Sequence, residues 1–315
     1  MLRWLTFLLF LLPAPVWAED FAGWLERFKA DAAAAGISTR TLQALDTVEF
    51  KDRVIELDQN QPESTMTLDE YLEKTVTPAR VEKGRALLAK HRGVLNRVAQ
   101  RYGVQPAFIV ALWGKESNFG ANTGGFMVLD ALATLAYEGR RADYFRSELV
   151  NALKIIDAGH IRAADMKGSW AGAMGQCQFM PTSFFNYGAD GNGDRRIDIW
   201  NTEADVFASA ANYLNSEGWN GGETWGREVV LTQPIRESLI GLDNEDSLDT
   251  WAQRGIRAAM GGGLPKGRAL ASLIQPDGPG TRAFLVYHNF RVLRHWNRSN
   301  YFSLSVGQLA DAIGG

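Results

Sequence analysis

Apolar residues recur three and four positions apart over much of the chain, which predicts a mainly helical protein. The pattern covers Phe21 to Ala35, Thr39 to Leu45 and Pro78 to Tyr102, and it has the period of amphipathic helices. We therefore predict a helical N-terminal domain over residues 19–103. From residue 104 to 225, further helical segments alternate with loops rich in glycine, asparagine and aspartate.

The residue pattern changes after residue 225. Residues 228–232 have the composition of a strand, and two apolar runs flank Pro276-Asp277-Gly278-Pro279-Gly280, as in a β-hairpin. These features predict a small β subdomain over residues 226–288. The tail is helical again from Val306 to Ile313, and we expect residues 289–315 to return to the core. The predicted fold class is mainly α, of the α+β type.

The N-terminus has the pattern of a secretory signal peptide. Arg3 precedes an apolar run from Trp4 to Leu12, and small residues lead to an expected cleavage after Ala18. The run is too short for a permanent membrane anchor, and no cysteine near the cleavage position could accept a lipid. We expect a soluble exported protein with no stable membrane span and no lipid anchor.

Composition excludes some partners and some chemistry. The formal net charge of −3 becomes −4 when the signal takes Arg3 with it, and nucleic-acid binding requires a basic excess instead. Cys177 is the only cysteine, so the fold contains no internal disulfide. A thiol nucleophile needs an activating partner, and we predict no catalytic role for Cys177.

Glu116 is the most informative single residue. It is the only acidic residue between Glu82 and Asp130, and it closes an apolar helical stretch. Leu112 and Ile109 lie four and seven residues before it, so the carboxyl group continues the apolar face of the helix. Burial there would raise its pKa, as general acid catalysis requires. The alternative is a structural glutamate that pairs with Lys115 or a nearby arginine.

Two loops carry further candidate chemistry. Residues 168–183 are dense in small residues, which let a backbone pass close to a ligand, and Ser169 and Gln178 could supply neutral hydrogen bonds there. Residues 190–198 place oxygen side chains at alternate positions, as a calcium loop does. Arg195 stands where such loops have glycine, and Asn201 where they have a bidentate glutamate. The alternatives are a structural loop and a metal-free Asx-turn loop.

With these motifs in order, the chain resembles the lytic murein transglycosylase B family, bacterial enzymes that cleave peptidoglycan on a lysozyme-like catalytic core. The resemblance is close over the central half and looser at the two ends. It implies a lysozyme-like core over residues 104–225. Five blocks carry it: Glu116-Ser117-Asn118-Phe119-Gly120, Asp130-Ala131-Leu132-Ala133-Thr134-Leu135, Arg140-Arg141-Ala142-Asp143-Tyr144-Phe145, Ala171-Gly172-Ala173-Met174-Gly175 with Gln178-Phe179-Met180-Pro181, and Ala211-Asn212-Tyr213-Leu214.

The resemblance implies that Glu116 is the sole catalytic acid and base. In the implied mechanism it protonates the glycosidic oxygen leaving N-acetylmuramic acid, and the 2-acetamido carbonyl stabilises C1. Glu116 then takes a proton from the C6 hydroxyl of the same sugar, which closes a 1,6-anhydro ring. Ordinary glycosidases carry two carboxylates, and no second acid stands in the loops just after Glu116. An intramolecular hydroxyl has a high effective concentration and can replace water.

The resemblance also implies ligands for substrate and cation. Ser169, Gln178 and Asn289 would hold acetamido groups, Tyr144 and Tyr213 would stack on sugar faces, and Arg140 and Arg141 would meet carboxylates of peptide stems or the lactyl group. Each of these has a structural alternative as a loop contact, a core aromatic or a solvated arginine. The loop with alternating oxygen side chains, residues 190–205, is called the oxygen loop below. It would hold a structural Ca²⁺ or Na⁺ ion through Asp190, Asn192, Asp194, the Arg196 carbonyl and Asp205. Whether Asp198 is also a ligand is left open. No cofactor is expected for the chemistry itself.

The leading hypothesis is a periplasmic peptidoglycan lytic transglycosylase that acts on glycan strands, with cell-wall synthases or amidases as candidate partners. A hydrolytic muramidase would leave reducing ends where a transglycosylase leaves anhydro ends. A noncatalytic peptidoglycan-binding scaffold is the third hypothesis, and the intact Glu116, Ser169 and Gln178 argue against it. A calcium sensor is a fourth, which the presence of one unpaired loop disfavours.

Overall fold

A computed structural model describes residues 20–60, 66–266 and 269–315. The predicted signal peptide and its cleavage after Ala18 lie outside the described residues. Within them, no helix is both long enough and apolar enough to cross a membrane.

Helices make up most of the described chain. They are α1 (Phe21–Ala34), α2 (Thr39–Leu42), α3 (Asp52–Gln59), α4 (Leu68–Thr75), α5 (Pro78–Lys90), α6 (Arg92–Tyr102), α7 (Pro106–Ser117), α8 (Val128–Glu138), α9 (Ala142–Asp157), α10 (Pro181–Tyr187), α11 (Glu203–Ser216), α12 (Leu248–Gln253), α13 (His288–Trp296) and α14 (Asn300–Gly314). Short 3-10 turns cover Gln43–Thr47, Ala163–Asp165 and Glu237–Leu239.

Local signals explain where several of these helices begin. Asp20 caps α1 by accepting a hydrogen bond from the Gly23 N–H at 2.8 Å. Thr67 and Glu70 form a capping box at α4, and Pro78 occupies the first turn of α5. The predicted continuous helix from Pro78 to Tyr102 is instead two helices that meet at His91. The His91 ring packs edge-on against Trp113 and Phe207, contacts that the local sequence does not reveal.

The strands form two antiparallel sheets. A small one pairs β1 (Phe126–Met127) with β2 (Lys167–Gly168). The larger one has the order β4-β6-β7-β3-β5. Its strands are β3 (Gly226–Leu231), β4 (Asp246–Ser247), β5 (Ile256–Ala258), β6 (Leu270–Ile274) and β7 (Ala283–Val286).

Both faces of the larger sheet are covered. Phe284 and Val286 of β7 belong to the main hydrophobic core, while Ala283 and Leu285 between them belong to a second, smaller core with Trp251 of α12. This alternation follows from the two-residue period of a strand. The β subdomain is therefore packed directly against the helical part of the protein.

Helix α7 lies at the centre of the main core. Its residues from Phe108 to Gly114 are all buried, and it packs against α5, α6, α11 and α14. Such all-round burial is typical of a core helix. The predicted fold class, mainly helical with a small β subdomain, is confirmed. The domain boundaries stay a prediction.

Candidate active site

A tight turn fixes the end of α7. Asn118 and Phe119 both adopt left-handed backbone angles, with φ values of 51° and 60°. The Ser117 Oγ accepts a hydrogen bond from the Gly120 N–H at 3.0 Å, which closes the turn. A Cβ on Gly114 would lie 2.7 Å from the Phe119 ring, so glycine is needed for the ring to fold back onto the helix. The side chain of Glu116 is therefore presented from a rigid helix end.

The carboxyl group of Glu116 lies in an apolar pocket. Ile109 and Leu112 line it from the same helix, as the spacing predicts, and Val206 and Phe207 line it from α11. Burial raises the pKa of Glu116 to about 7, although a hydrogen bond from Trp296 and the charge of Lys115 act against this rise. The predicted burial and the predicted direction of the pKa shift are confirmed.

Trp296 holds the carboxyl group in place. Its indole Nε1 donates a hydrogen bond to Glu116 Oε1 at 2.6 Å. Trp296 is the last residue of α13, and no local pattern connects it with a residue 180 positions earlier. Sequence reasoning did not identify it. The indole N–H stabilises the ionised carboxylate, so it supports the form that Glu116 takes after it gives up its proton.

The alternative role of Glu116 as one half of an ion pair is wrong within the described residues, where no basic side chain lies within ion-pair distance of it. The Lys115 Nζ instead donates a hydrogen bond to the Tyr71 hydroxyl at 3.2 Å. It also lies 4.7 Å from the centre of the Tyr71 ring. The two neighbouring side chains therefore point into different surroundings.

The loop after β2 is tied to α7 through Gln176, which sequence reasoning also missed. The Gln176 Oε1 accepts a hydrogen bond from Trp113 Nε1 at 2.7 Å, and its Nε2 donates to the Trp200 carbonyl at 2.8 Å. Cys177 is buried beside it, and burial raises the pKa of its thiol. An inert thiol agrees with the prediction that Cys177 is not catalytic.

Ser169 and Gln178 lie on this same loop, and some of their hydrogen-bonding atoms already have partners in the protein. The Ser169 Oγ accepts hydrogen bonds from the Ala171 and Ala173 N–H groups at 3.3 and 3.0 Å. The Gln178 Nε2 donates to the Thr123 and Gly175 carbonyls at 3.1 and 2.9 Å. No hydrogen bond to the Gln178 Oε1 is present within the described chain. This oxygen remains able to accept one from a ligand.

Tyr213 belongs to an aromatic cluster around Trp296. Its ring centre lies 4.7 Å from that of Trp296 and 4.3 Å from that of Tyr187. Phe179 completes the cluster, with its ring centre 5.3 Å from that of Trp296 and 6.0 Å from that of Tyr213. The Tyr187 hydroxyl donates a hydrogen bond to Glu217. Tyr213 thus packs directly against Trp296, the residue that holds Glu116.

Other predicted substrate ligands lie apart from this cluster. Arg140 and Arg141 both pair with the buried carboxylate of Asp58 on α3, the latter at 3.0 Å. Tyr144 packs edge-on against Phe145 with a centre distance of 5.0 Å and is 46% exposed. The structure shows no contact between these three residues and the Glu116 pocket. The arginine pair is a link between the N-terminal helices and α8–α9.

A substrate contact for Asn289 does not fit its position. The side chain is fully buried. Its Oδ1 accepts a hydrogen bond from the Asn220 N–H at 2.8 Å, and its Nδ2 donates to the Asn220 and Glu223 carbonyls at 2.8 and 2.9 Å. Both N–H donors and the oxygen of the amide have partners, so Asn289 holds the turn between α11 and β3 to α13.

The oxygen loop has its carboxylates directed at its own backbone. Asp190 accepts hydrogen bonds from the Gly193 and Arg195 N–H groups at 2.6 and 2.7 Å. Asp205, fully buried, accepts them from the Gly191 and Asp198 N–H groups at 2.9 and 2.7 Å. Within the ranges described, no three acidic, histidine or cysteine side chains converge as a metal site.

The remaining loop residues follow the same pattern. The Asn192 Oδ1 accepts from the Asp194 N–H at 2.9 Å, and the Asp194 Oδ1 accepts from the Arg196 N–H at 2.8 Å. Arg195, at the position where a calcium loop has glycine, keeps the left-handed conformation of that position with a φ of 71°. The donor set is rich in oxygen, as a hard cation requires.

Known proteins resemble the chain over nearly its whole length. The family model described as "Transglycosylase SLT domain" matches residues 20–311. The chain belongs to this transglycosylase SLT domain family. Among curated proteins, this SLT-domain chain is 34% identical to the membrane-bound lytic murein transglycosylase B of Escherichia coli K12 over 247 residues. That alignment covers 77% of this chain and 66% of the relative, just under two thirds of its length.

Two solved structures of the family share the fold. SltB3 from Pseudomonas aeruginosa, in complex with NAG-anhNAM-pentapeptide, superposes on this SLT-domain chain with a TM-score of 0.91 at 43% identity, covering 94% of this chain and 80% of SltB3. The Escherichia coli lytic transglycosylase Slt35, in complex with calcium, gives a TM-score of 0.80 at 29% identity and 92% coverage of both chains. The implied lysozyme-like architecture is thereby shown.

Proposed function

We propose that the protein is a peptidoglycan lytic transglycosylase. It cleaves the β-1,4 bond between N-acetylmuramic acid and N-acetylglucosamine and leaves a 1,6-anhydromuramic acid end, with Glu116 as its single acid and base. One observation carries the proposal: the Glu116 carboxyl group is buried, free of ion pairs within the described residues, and held by Trp296 with a pKa of about 7. The family of the chain agrees with this activity.

The geometry supports each step assigned to Glu116. Below pH 7 the buried carboxyl group carries the proton that the glycosidic oxygen needs on leaving C1. The acetamido carbonyl of the substrate then stabilises C1. The resulting Glu116 carboxylate keeps the Trp296 N–H as a donor and takes the proton of the C6 hydroxyl, whose oxygen bonds to C1. Glu116 is also the only acidic residue among those lining its pocket, so no second carboxylate is assigned a step.

Substrate contacts are proposed at three positions around the pocket. The Gln178 Oε1 accepts an acetamido N–H, Tyr213 contacts a sugar face, and Ser169 keeps the loop in shape and offers its hydroxyl to the ring. The complex of SltB3 with NAG-anhNAM-pentapeptide supports a ligand of this class. Arg140, Arg141 and Tyr144 belong to a more distant surface, where they would meet peptide stems.

We also propose that the oxygen loop binds a structural calcium ion. Asp190, Asn192, Asp194, the Arg196 carbonyl and Asp205 would hold it, and the role of Asp198 stays open. The left-handed Arg195 and the calcium complex of Slt35 support this site. A bound ion would stiffen the loop, and the chemistry itself requires no cofactor.

The location and partners follow from the same proposal. An enzyme that acts on glycan strands must reach the cell wall, so we place the protein in the periplasm, exported by its signal peptide. Cell-wall synthases or amidases would act on the same strands.

Mass spectrometry of the material released from purified sacculi tests the function. The expected product is a disaccharide with a 1,6-anhydromuramic acid end. It is about 18 Da lighter than the hydrolysed form, because no water is added. Reducing ends as the main product would show a hydrolytic muramidase. No release by a folded protein that binds sacculi would show a scaffold.

A further inference from the structure

Two cationic side chains next to the turn that ends α7 form no ion pair within the described residues. The Lys115 ammonium group lies between the rings of Tyr71 and Phe302, 4.7 and 5.5 Å from their centres. Arg80 of α5 approaches the same tyrosine, and its Nη1 donates to the Thr75 carbonyl at 2.7 Å. No ion pair of either side chain is found in the described part of the chain. Both residues are partly buried.

This arrangement is costly for the fold. The charges of Arg80 and Lys115 repel each other, and burial together with Arg80 lowers the pKa of Lys115 to about 8. The Arg80 Nε is buried without any hydrogen-bond partner within the described residues. Partly buried cations are normally paired, because leaving them without an anion costs free energy.

Glu116 supplies only part of the missing negative charge: when it is ionised it raises the pKa of Lys115, but the two side chains form no ion pair within the described residues. Glu116 is protonated below a pH of about 7, and its Oε1 accepts from Trp296. The negative end of the α7 dipole does not explain Lys115 either. The exposed Lys83 already donates to the Asn118 carbonyl at that helix end, at 3.2 Å, whereas the Lys115 ammonium group points to Tyr71.

We propose that Lys115 and Arg80 form a binding site for a carboxylate of the glycan-strand substrate. The site is centred on the Tyr71 hydroxyl, which accepts from Lys115 and is hydrogen-bonded to Ser305. A bound carboxylate offsets the repulsion between two like charges and accepts hydrogen bonds from the Lys115 ammonium group. Because Lys115 and Tyr71 both interact electrostatically with Glu116, a carboxylate bound here lies near the acid and holds the muramic acid residue beside it.

Two carboxylate sources exist on such a strand: the peptide stem, and the lactyl group of a muramic acid whose stem has been removed. Both present the same chemistry, so the site is defined by the carboxylate, and the substrate decides the source. This inference rests on the proposed function, since that function makes glycan strands the ligand.

Binding to intact strands tests the site without requiring turnover. We would use Glu116→Gln protein and measure affinity for three ligands: peptide-bearing strands, strands stripped of peptides by an amidase, and peptide-bearing strands whose carboxylates are converted to neutral amides. Lys115→Met is added to this background, because methionine keeps the packing on Tyr71 and Phe302 without the charge. Lys115→Arg restores the charge, and Lys154→Met, on the exposed face of α9, is the matched control.

The expected result is an approximately tenfold loss of affinity with Lys115→Met on one of the two carboxylate-bearing strands, and none on the neutral strands. The strand that shows the loss identifies the source. Lys115→Arg should bind as the parent does, and the melting temperature of Lys115→Met should be unchanged or higher, since an unpaired charge is removed. Equal affinity for all three ligands, or an equal loss on the neutral strands with a lower melting temperature, would overturn the proposal. If the wild-type protein releases no anhydro product while the Lys115-dependent binding persists, the site stands and the proposed function fails.

Discussion

The end of α7 and the loop from residue 190 to 205 both contain charged side chains, but they differ in how fully those side chains are hydrogen-bonded. In the loop, Asp190 and Asp205 each accept two backbone N–H groups. At the end of α7, Glu116 accepts from one indole, and Lys115 has no anionic partner among the described residues. Satisfied polar groups are typical of a structural element, whereas under-satisfied charges in a pocket indicate a site for chemistry.

The pKa directions of Asp190 and Glu116 express the same difference, although burial raises the pKa of Asp205 in the same loop. Desolvation would raise the pKa of Asp190, but the backbone N–H groups of Arg195, Gly193, Asn192 and Asp194 together outweigh it and lower the pKa. The pKa of Glu116 is raised to about 7 by desolvation. One carboxylate is therefore kept ionised and holds a loop in shape, and the other can give and take a proton near neutral pH.

The largest effect is expected from Glu116→Gln. The amide fits the pocket and cannot transfer a proton, so turnover should fall about 10³-fold while folding and binding to sacculi remain. The measurement is the rate of anhydro-product release from sacculi. Glu82→Gln, on the exposed face of α5, is the control. Substantial residual release by Glu116→Gln would remove this residue from its role.

The second-largest effect is expected in the pH dependence of the free energy of unfolding, to which the buried Glu116 contributes. The folded pKa of Glu116, about 7, lies above its ordinary value of 4.5, so its contribution is fully present below pH 4.5 and is lost as the pH rises to 7. Ionising the buried group should cost about 3 kcal/mol above that window. The free energy of unfolding of Glu116→Gln minus that of the wild type, measured with urea, should therefore be more positive at pH 8 than at pH 4. A constant difference across the range would contradict the buried acid.

A smaller loss of stability is expected from Asp205→Asn in the loop. The new amide N–H₂ would face a backbone N–H, either that of Gly191 or that of Asp198, inside a fully buried site. One unsatisfied buried donor costs about 2 kcal/mol. Urea unfolding at pH 7 measures it. An unchanged free energy of unfolding would mean that the loop is not held by this carboxylate.

Trp296→Phe should weaken the active site without removing it. The ring packing on Tyr213 and Phe179 is kept, and the hydrogen bond to Glu116 is lost. Because that bond lowers the pKa of Glu116, the alkaline limb of the pH–rate profile should move to higher pH, with kcat/KM lower by about tenfold at neutral pH. An unmoved limb would show that the indole N–H does not act on the carboxylate.

The smallest effect is expected from removing calcium. If the loop binds the ion weakly, a chelator should lower the melting temperature by a few degrees, and excess calcium should restore it. Anhydro-product release at room temperature should change little. No shift over a calcium titration would leave the loop as a metal-free structural turn.

Sequence reasoning reached the parts of the site that depend on local spacing. Ile109 and Leu112 placed Glu116 on a buried face. Strand composition identified β3, and two apolar runs around a turn rich in proline and glycine identified β6 and β7. Trp296, which bonds to Glu116, and Gln176, which lines the same pocket, were missed, because tertiary packing that no local pattern encodes brings them there. Residue type alone was also insufficient for Asn289 and Arg140. The Asn289 amide is held by backbone partners, and Arg140 pairs with Asp58, which leaves only its remaining donors for a peptide stem. A sequence does not show which donors a fold has already used.

The central claim is that Glu116 acts as a buried acid with a pKa near neutrality. The pH dependence of kcat/KM for anhydro-product release tests it most directly, because that quantity reports the ionisation of the free enzyme. The account predicts an alkaline limb near pH 7 in the wild-type protein, displaced upward in Trp296→Phe. A limb near pH 4.5, the ordinary value of a glutamate, would contradict it.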